Sequence, residues 1–213
     1  MTAPKIMMPY DSETTGMPLW DQPSEDPRQP RIIQIAAELV DVDTRETLER
    51  LQFIIKPNGW VISDEIATLT GIDQARAERE GVPIEEVLPL FLAMHARVTP
   101  SIGRVAHNER FDARMVRIEM MKSGIYSEEQ MEAWKTATAY DTCQQATKIV
   151  NLPPTTAMLA KNRKSPKPPN LQEAYEFFTG LTLQGAHDAG NDVLGCKAVY
   201  FGIQDYHAAA RAA

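Results

Sequence analysis

The chain has 213 residues, 43% hydrophobic and 24% charged, enough apolar side chains to bury a core and to exclude a disordered polymer. Twenty-two Lys and Arg against 29 Asp and Glu leave a net charge of −7. That balance excludes a protein that coats nucleic acid by bulk electrostatics, but not an enzyme whose carboxylates are neutralised by cations at one site.

Residues 5–10, Lys-Ile-Met-Met-Pro-Tyr, predict a short strand running into the polar stretch Asp11-Ser12-Glu13-Thr14-Thr15-Gly16. Pro9 gives a ladder no N–H, so the strand is expected to lie at an edge or to be irregular there. Pro18, Pro23, Pro27 and Pro30 mark an exposed loop over 18–30. Ile33, Ile35, Ala37 and Leu39 alternate. After the Asp43-Thr44-Arg45 turn, Leu48, Leu51, Phe53 and Ile55 complete a hairpin. Ser63 and Gly71 bracket a short helix, and Ile84, Val87, Leu88, Phe91, Leu92 and His95 follow helical spacing, with Pro89 expected to kink that helix or mark its first turns.

Arg104 to His107 predicts a brief strand, and Phe111, Met115 and Ile118 form one face of the next helix, with Phe111 as core. Ala137 to Tyr140 is a further strand, and Asp141 or Thr142 caps a helix through Val150. Residues 151–170 hold five prolines and the cations Lys161, Arg163, Lys164 and Lys167. They predict the least ordered stretch, either a solvated mobile loop or a strip that touches phosphates. Asn170 opens a helix closed by Gly180, a last helix follows His187, and residues 207–213 are weakly patterned. The order of strands and helices predicts one α/β domain over 1–213 with a mixed sheet. Cys143 and Cys196 stand far apart, outside any zinc or redox spacing, and no apolar run reaches the roughly 18 residues of a membrane span. Free thiols and the absence of an apolar signal core before Asp11 lead to the expectation of a cytoplasmic protein that does not engage membranes.

Asp11 and Glu13 are two apart on a strand, so both carboxylates point to one face and repel each other unless a cation lies between them. Asn108 and Asp112 are four apart at a helix start, and His187 and Asp192 flank another, with Asp188 between them as a cap. Each pair alone is compatible with ordinary capping. Together they place acids at strand ends and helix starts, which can converge at one edge of an α/β sheet. Oxygen ligands suit hard divalent cations, and carboxylates beside an imidazole suit two-metal phosphodiester hydrolysis, with His107 and His187 as the histidines near the acids.

Read in order, Asp11-Ser12-Glu13-Thr14-Thr15-Gly16, Ala106-His107-Asn108-Glu109-Arg110-Phe111-Asp112 and His187-Asp188-Ala189-Gly190-Asn191-Asp192 resemble the three motifs of the DEDD-type 3′-5′ exonucleases. The subclass is the one with a catalytic histidine, which includes the proofreading subunits of bacterial replicative polymerases. Arg31-Ile32-Ile33-Gln34-Ile35, Leu69-Thr70-Gly71-Ile72 and Asn170-Leu171-Gln172-Glu173-Ala174-Tyr175 extend the likeness over residues from about 5 to about 202. The resemblance implies a ribonuclease H-like fold, a five-stranded mixed sheet flanked by helices. It implies that Asp11, Glu13, Asp112 and Asp192 hold two Mg²⁺ or Mn²⁺ ions and that His187 is the general base. Thr14, Thr15 and Gly16 would line the terminal nucleotide, with Met17 beside the last base, and Asn108 would face the sugar-phosphate next to His107. Ser12 and Leu69 depart from the usual pattern, and Gly190 is expected to loosen the turn bearing His187. The implied activity is release of nucleoside 5′-monophosphates from the 3′ end of single-stranded DNA. RNA is the alternative substrate, and a non-catalytic binding module is a weaker one. The short tail after Tyr200 offers no segment for docking a polymerase, and the sequence carries no sign of oligomeric state.

Overall fold

The computed structural model describes residues 4–212. Strands β1 (Ile6–Thr14), β2 (Ile32–Asp41) and β3 (Thr47–Ile54) come first, followed by helices α1 (Asp64–Thr70), α2 (Gln74–Glu80) and α3 (Ile84–His95). Strand β4 (Arg104–Ala106), helices α4 (Glu109–Ser123) and α5 (Glu128–Thr136), strand β5 (Ala139–Asp141) and helix α6 (Thr142–Val150) continue the chain. Helices α7 (Thr156–Ala160), α8 (Leu171–Thr179) and α9 (Ala189–Ala212) complete it. The sheet order is β3-β2-β1-β4-β5, with β1, β2 and β3 antiparallel and β4 and β5 parallel to β1.

Both faces of the sheet are covered, which explains why β2 is buried along nearly its whole length. On one side Met8, Tyr10, Ile35 and Leu39 pack with Phe91 of α3, Met115 and Ile118 of α4 and Trp134 of α5. The Tyr10, Phe91 and Trp134 rings meet at 5.7 to 5.8 Å, largely edge to face. On the other side Met7, Val40 and Val105 pack with Cys196, Tyr200 and Phe201 of α9. Helices α4 and α9 therefore grip the sheet from opposite faces.

The hairpin, the Ser63-capped α1, the Pro89-containing α3 and the Asn170-capped α8 form as the sequence predicts. Pro9 does not mark an edge: β1 is the central strand. The antiparallel ladder to β2 steps from Met7 to Tyr10, so the missing N–H falls where no β2 partner is paired. That ladder also carries β1 past Tyr10 to Thr14, putting Asp11 and Glu13 inside the strand. Three helices lack strong periodicity and go unpredicted. Among them, α2 buries only Ala77, and α5 rests on the Ser127 capping box with Met131 and Trp134 turned inward. The proline-rich segment 151–170 contains α7 and is closed by a bridge between Leu152 and Lys167. The expected weak tail is helical to Ala212, with Ala213 outside the described residues.

Buried charges tie the layers together. Glu119 of α4 is fully buried and takes Arg31 through Nε at 3.0 Å and Nη2 at 2.8 Å, and the Ile32 N–H at 2.9 Å. This pins α4 to the first residue of β2. Tyr10 Oη and Arg104 Nε both donate to Glu109 Oε1, at 3.0 and 2.6 Å. Glu119→Ala would leave the Arg31 guanidinium and a buried N–H without partners, a loss of roughly 3–5 kcal/mol. Urea denaturation should show a loss of unfolding free energy of that size, and a loss no larger than that of an exposed substitution would remove this pair from the scaffold.

Candidate active site

The parity of β1 distributes the acids. Met7 meets α9, whereas Met8 and Tyr10 meet the α3–α5 layer, so odd positions face α9 and even ones face α4. Asp11 and Glu13 therefore face α9, and Ser12 faces α4. The Ser12 hydroxyl and backbone N–H both donate to Oδ1 of Asp112, at 2.7 and 3.0 Å. Asp112 is 2% exposed, so these bonds fix its rotamer and leave Oδ2 as its other acceptor.

Helix α9 starts at the opposite wall. Gln34 of β2 donates through Nε2 to Asp188 Oδ2 at 2.9 Å and accepts the Ala189 N–H at 2.9 Å. Asp188 also accepts the Asn191 N–H and the Gln52 amide. One carboxylate and two glutamines thus dock the helix start on the sheet. Gly190 lies against the exposed Gln52 amide, and a Cβ there, 2.2 Å from Gln52 Oε1, would displace that side chain. His187 precedes the helix with φ 66, and its N–H donates to Asp192 Oδ2 at 3.1 Å. One ligand atom from each of Glu13, His187 and Asp192 lies within 4.8 Å of the other two.

These carboxylates destabilise one another. Asp11 is held well above the ordinary carboxylate value by burial, then by the charges of Asp112, Asp192 and Glu13. Burial raises Asp112 too, against the two Ser12 bonds that lower it. Glu13 is pushed up to about 7 by burial, Asp192 and Asp188. Asp192 is pushed up to about 6 by burial, with His187 opposing. Asp192 Oδ1 is buried and has no hydrogen-bond partner. An orphaned carboxylate oxygen beside mutually repelling acids fits a divalent cation, which supplies positive charge and accepts oxygen ligands.

The other predicted positions divide in two. Asn108 is exposed in the left-handed region, φ 70, and makes no side-chain cap, while its N–H is held by Asp141 Oδ1 at 3.2 Å. Met17 is 67% exposed. Lys161, Arg163 and Lys164 are exposed beyond α7, whereas Lys167 is paired with Glu173 at 2.5 Å. Both nitrogens of His107 are engaged inside the fold, by Thr142 Oγ1 at 2.9 Å and the Pro169 carbonyl at 3.0 Å. Thr14 Oγ1 donates to the Gly16 carbonyl at 2.9 Å, and Thr15 Oγ1 accepts the Arg31 N–H at 2.9 Å, so both hydroxyls shape the turn itself. Sequence reasoning missed Ser12 as the holder of Asp112, and Gln34 and Gln52 as the holders of Asp188. A glutamine between Ile33 and Ile35 was the available signal for Gln34.

A five-stranded mixed sheet clasped by helices, in the order β3-β2-β1-β4-β5, is the ribonuclease H-like fold. A family model described as exonuclease, of the RNase T type, matches residues 9–200, and the chain belongs to that family. By sequence, no curated protein matches. Among solved structures, Escherichia coli exonuclease I in complex with a dT13 oligonucleotide is similar at TM-score 0.68 and 20% identity, over 92% of this chain and 40% of that one. The zinc-bound form of the same enzyme with single-stranded DNA gives 0.69 and 18%, over 94% and 41%. A moderately thermophilic exonuclease I from Methylocaldum szegediense gives 0.65 and 21%, over 94% and 40%. The chain thus spans about two-fifths of the length of these structures.

The raised carboxyl values set a sign. Unfolded Asp and Glu ionise near 4, whereas Asp192 and Glu13 in the fold hold their protons to about 6 and about 7. Between those limits the native state binds more protons, so these groups lower stability as pH rises. A divalent cation removes that penalty. The gain in Tm on adding Mg²⁺ or Mn²⁺ should therefore be larger at pH 8 than at pH 5, as scanning calorimetry can measure, and an increment independent of pH would separate the cation from these carboxylates.

Proposed function

We propose that the protein is a 3′-5′ exonuclease that removes nucleoside 5′-monophosphates from single-stranded DNA, using Asp11, Glu13, Asp112 and Asp192 to hold two Mg²⁺ or Mn²⁺ ions and His187 as general base. The observation that carries the reading is the convergence of Glu13, His187 and Asp192 within 4.8 Å. Bound cations supply the charge that lets the carboxylates ionise together and the Lewis acidity that makes a water nucleophilic near neutral pH.

The remaining work falls to the chain. A ring nitrogen of His187 accepts the water's proton as oxygen attacks the terminal phosphorus in line, and the bond from phosphorus to the 3′ oxygen of the preceding nucleotide breaks. The exposed ring and its backbone tether to Asp192 suit that role, because they aim the imidazole without engaging it elsewhere. Ser12 keeps Asp112 in one rotamer, so that this carboxylate does not collapse onto Asp11. The Thr14-Thr15-Gly16 turn and Met17 border the terminal nucleotide. Asn108 offers an uncommitted amide from a backbone conformation that costs energy and persists at functional positions. Lys161, Arg163 and Lys164 extend phosphate contacts along the strand. The likeness to exonuclease I bound to oligonucleotides supports DNA as the substrate.

Digestion of matched end-labelled DNA and RNA oligomers with Mg²⁺ should give a ladder shortening from the 3′ end, faster for DNA, and none with chelator. A ladder from RNA alone would move the reading to an exoribonuclease, and no ladder from either would end it. Asp11→Asn should abolish hydrolysis with little change in the unfolding transition. His187→Ala should slow turnover by on the order of 10² to 10⁴ while preserving the Mg²⁺-induced rise in Tm. Replacing Lys161, Arg163 and Lys164 by Ala should weaken strand binding and flatten its salt dependence; an unchanged slope would return that segment to ordinary solvated surface.

A further inference from the structure

The proline loop 18–30 wraps the outer side of α4. Arg114 Nη2 donates to the Gln22 carbonyl at 2.5 Å, Arg117 Nε to Ser24 Oγ at 3.1 Å and Lys122 Nζ to the Pro27 carbonyl at 3.0 Å. Between loop, helix and α5 lies a cavity of about 410 Å³. Arg110, Arg114 and Arg117 line it from α4, Trp20 from the loop, and Lys135 from α5. Its floor is the Arg104–Glu109 pair, with Arg104 stacked 4.1 Å from the Trp134 ring.

Three properties distinguish this cavity from ordinary basic surface. Its lining holds five cations against a single carboxylate, in a chain of net charge −7. Among the described residues, Arg110, Arg114, Arg117 and Lys135 make no ion pair, whereas eleven other arginines and lysines do, ten of them spread over the rest of the fold and only Arg104 in the lining. Arg114 Nε is buried without a hydrogen-bond partner, and Glu25 acts on Arg114 only through space. Positions 110, 114 and 117 stack on one helix face, where like charges repel. An anion resolves that repulsion and satisfies the open guanidinium donors. Trp20 is 41% exposed and carries Arg110 at 4.6 Å from its ring, an aromatic and cationic platform of the kind that takes a nucleobase next to its phosphate.

We propose that this cavity is a second strand-binding site, which takes backbone phosphates of the nucleic acid on Arg110, Arg114, Arg117 and Lys135 and a base against Trp20. The proposal rests on the exonuclease reading. By helical geometry the arginine face lies across α4 from Asp112, roughly one helix diameter or 10–12 Å away. A strand whose 3′ end sits at the acids reaches the cavity only if it is several nucleotides long, so the site adds affinity for long substrates and none for short ones.

The test uses Asp11→Asn protein, to block hydrolysis, and fluorescence anisotropy with oligomers of about 2 and about 25 nucleotides, of the sugar type that the parent protein degrades. Arg110→Ala with Lys135→Ala, both at exposed positions, should weaken binding of the long oligomer about tenfold, lower its salt slope by about 1 to 2, and leave the short oligomer unchanged. Trp20→Ala should weaken the long oligomer by about fivefold or more, again with no effect on the short one. In the parent background, the double substitution should leave the rate on the short oligomer unaltered. Equal losses at both lengths, or none, would overturn the second site while hydrolysis by the parent still supports the exonuclease. Tryptophan quenching by inorganic phosphate or dTMP as strong as that by the long oligomer would make the cavity a free-phosphate site and overturn the strand assignment. A parent protein that degrades neither oligomer would remove both readings together.

Discussion

Crowding of carboxylates at one edge of the sheet is the constraint around which the molecule is built. Asp11, Glu13, Asp112 and Asp192 each lose solvation and feel the others' charge, so each resists ionisation. A fold that tolerates this needs donors that hold the groups apart without cancelling their charge. Ser12 does so for Asp112, and the His187 N–H does so for Asp192. Ligand atoms of Glu13 and Asp192 then lie within 4.8 Å of each other and of His187, a spacing that fits a cation.

Holding that arrangement requires rigid walls, and buried ion pairs supply them. Glu119 locks α4 to the start of β2 through Arg31 and the Ile32 N–H, while Glu109 receives Tyr10 and Arg104 on the same helix. Across the sheet, Glu38 of β2 gathers Arg50 of β3 and Lys197 of α9. These partners bring their charge to their acids within the scaffold, in contrast with Asp11, Glu13, Asp112 and Asp192, which make no ion pair with a lysine or arginine among the described residues. The same division holds for the arginines. Most are paired into the fold, and three of those left without acids stand together on the outer face of α4. On the proposed reading, a net negative chain would keep an anionic centre for cations and a cationic flank for phosphates, an arrangement that would draw a polyanion across the helix rather than over the whole surface.

Much of this was legible in the linear order. The alternation over residues 33–39 gave β2, the Ser63 and Asn170 caps gave α1 and α8, and the three acidic motifs stood at a strand and two helix starts, because capping and periodicity are local properties. Pro9 signalled the gap in pairing to β2 but not the strand's central place, since a proline is excluded from a central strand only where its N–H would have had a partner. The contact of Gly190 with Gln52 was not legible, because that neighbour lies 138 residues away in sequence. The Arg110, Arg114 and Arg117 spacing was visible as a helical stripe, but nothing local says that Trp20 and α5 close a cavity over it.

By itself the amino-acid order determined which residues carry charge, which faces are apolar and where helices begin, because those follow from chemistry within a few residues. Only the tertiary structure decided that Ser12 would orient Asp112, that His107 would be used up by Thr142 and Pro169, and that Glu13, His187 and Asp192 would come within one coordination distance of each other. Such contacts join segments up to 179 positions apart, and their geometry depends on how α4 and α9 settle on a shared sheet, which no short stretch of chain encodes.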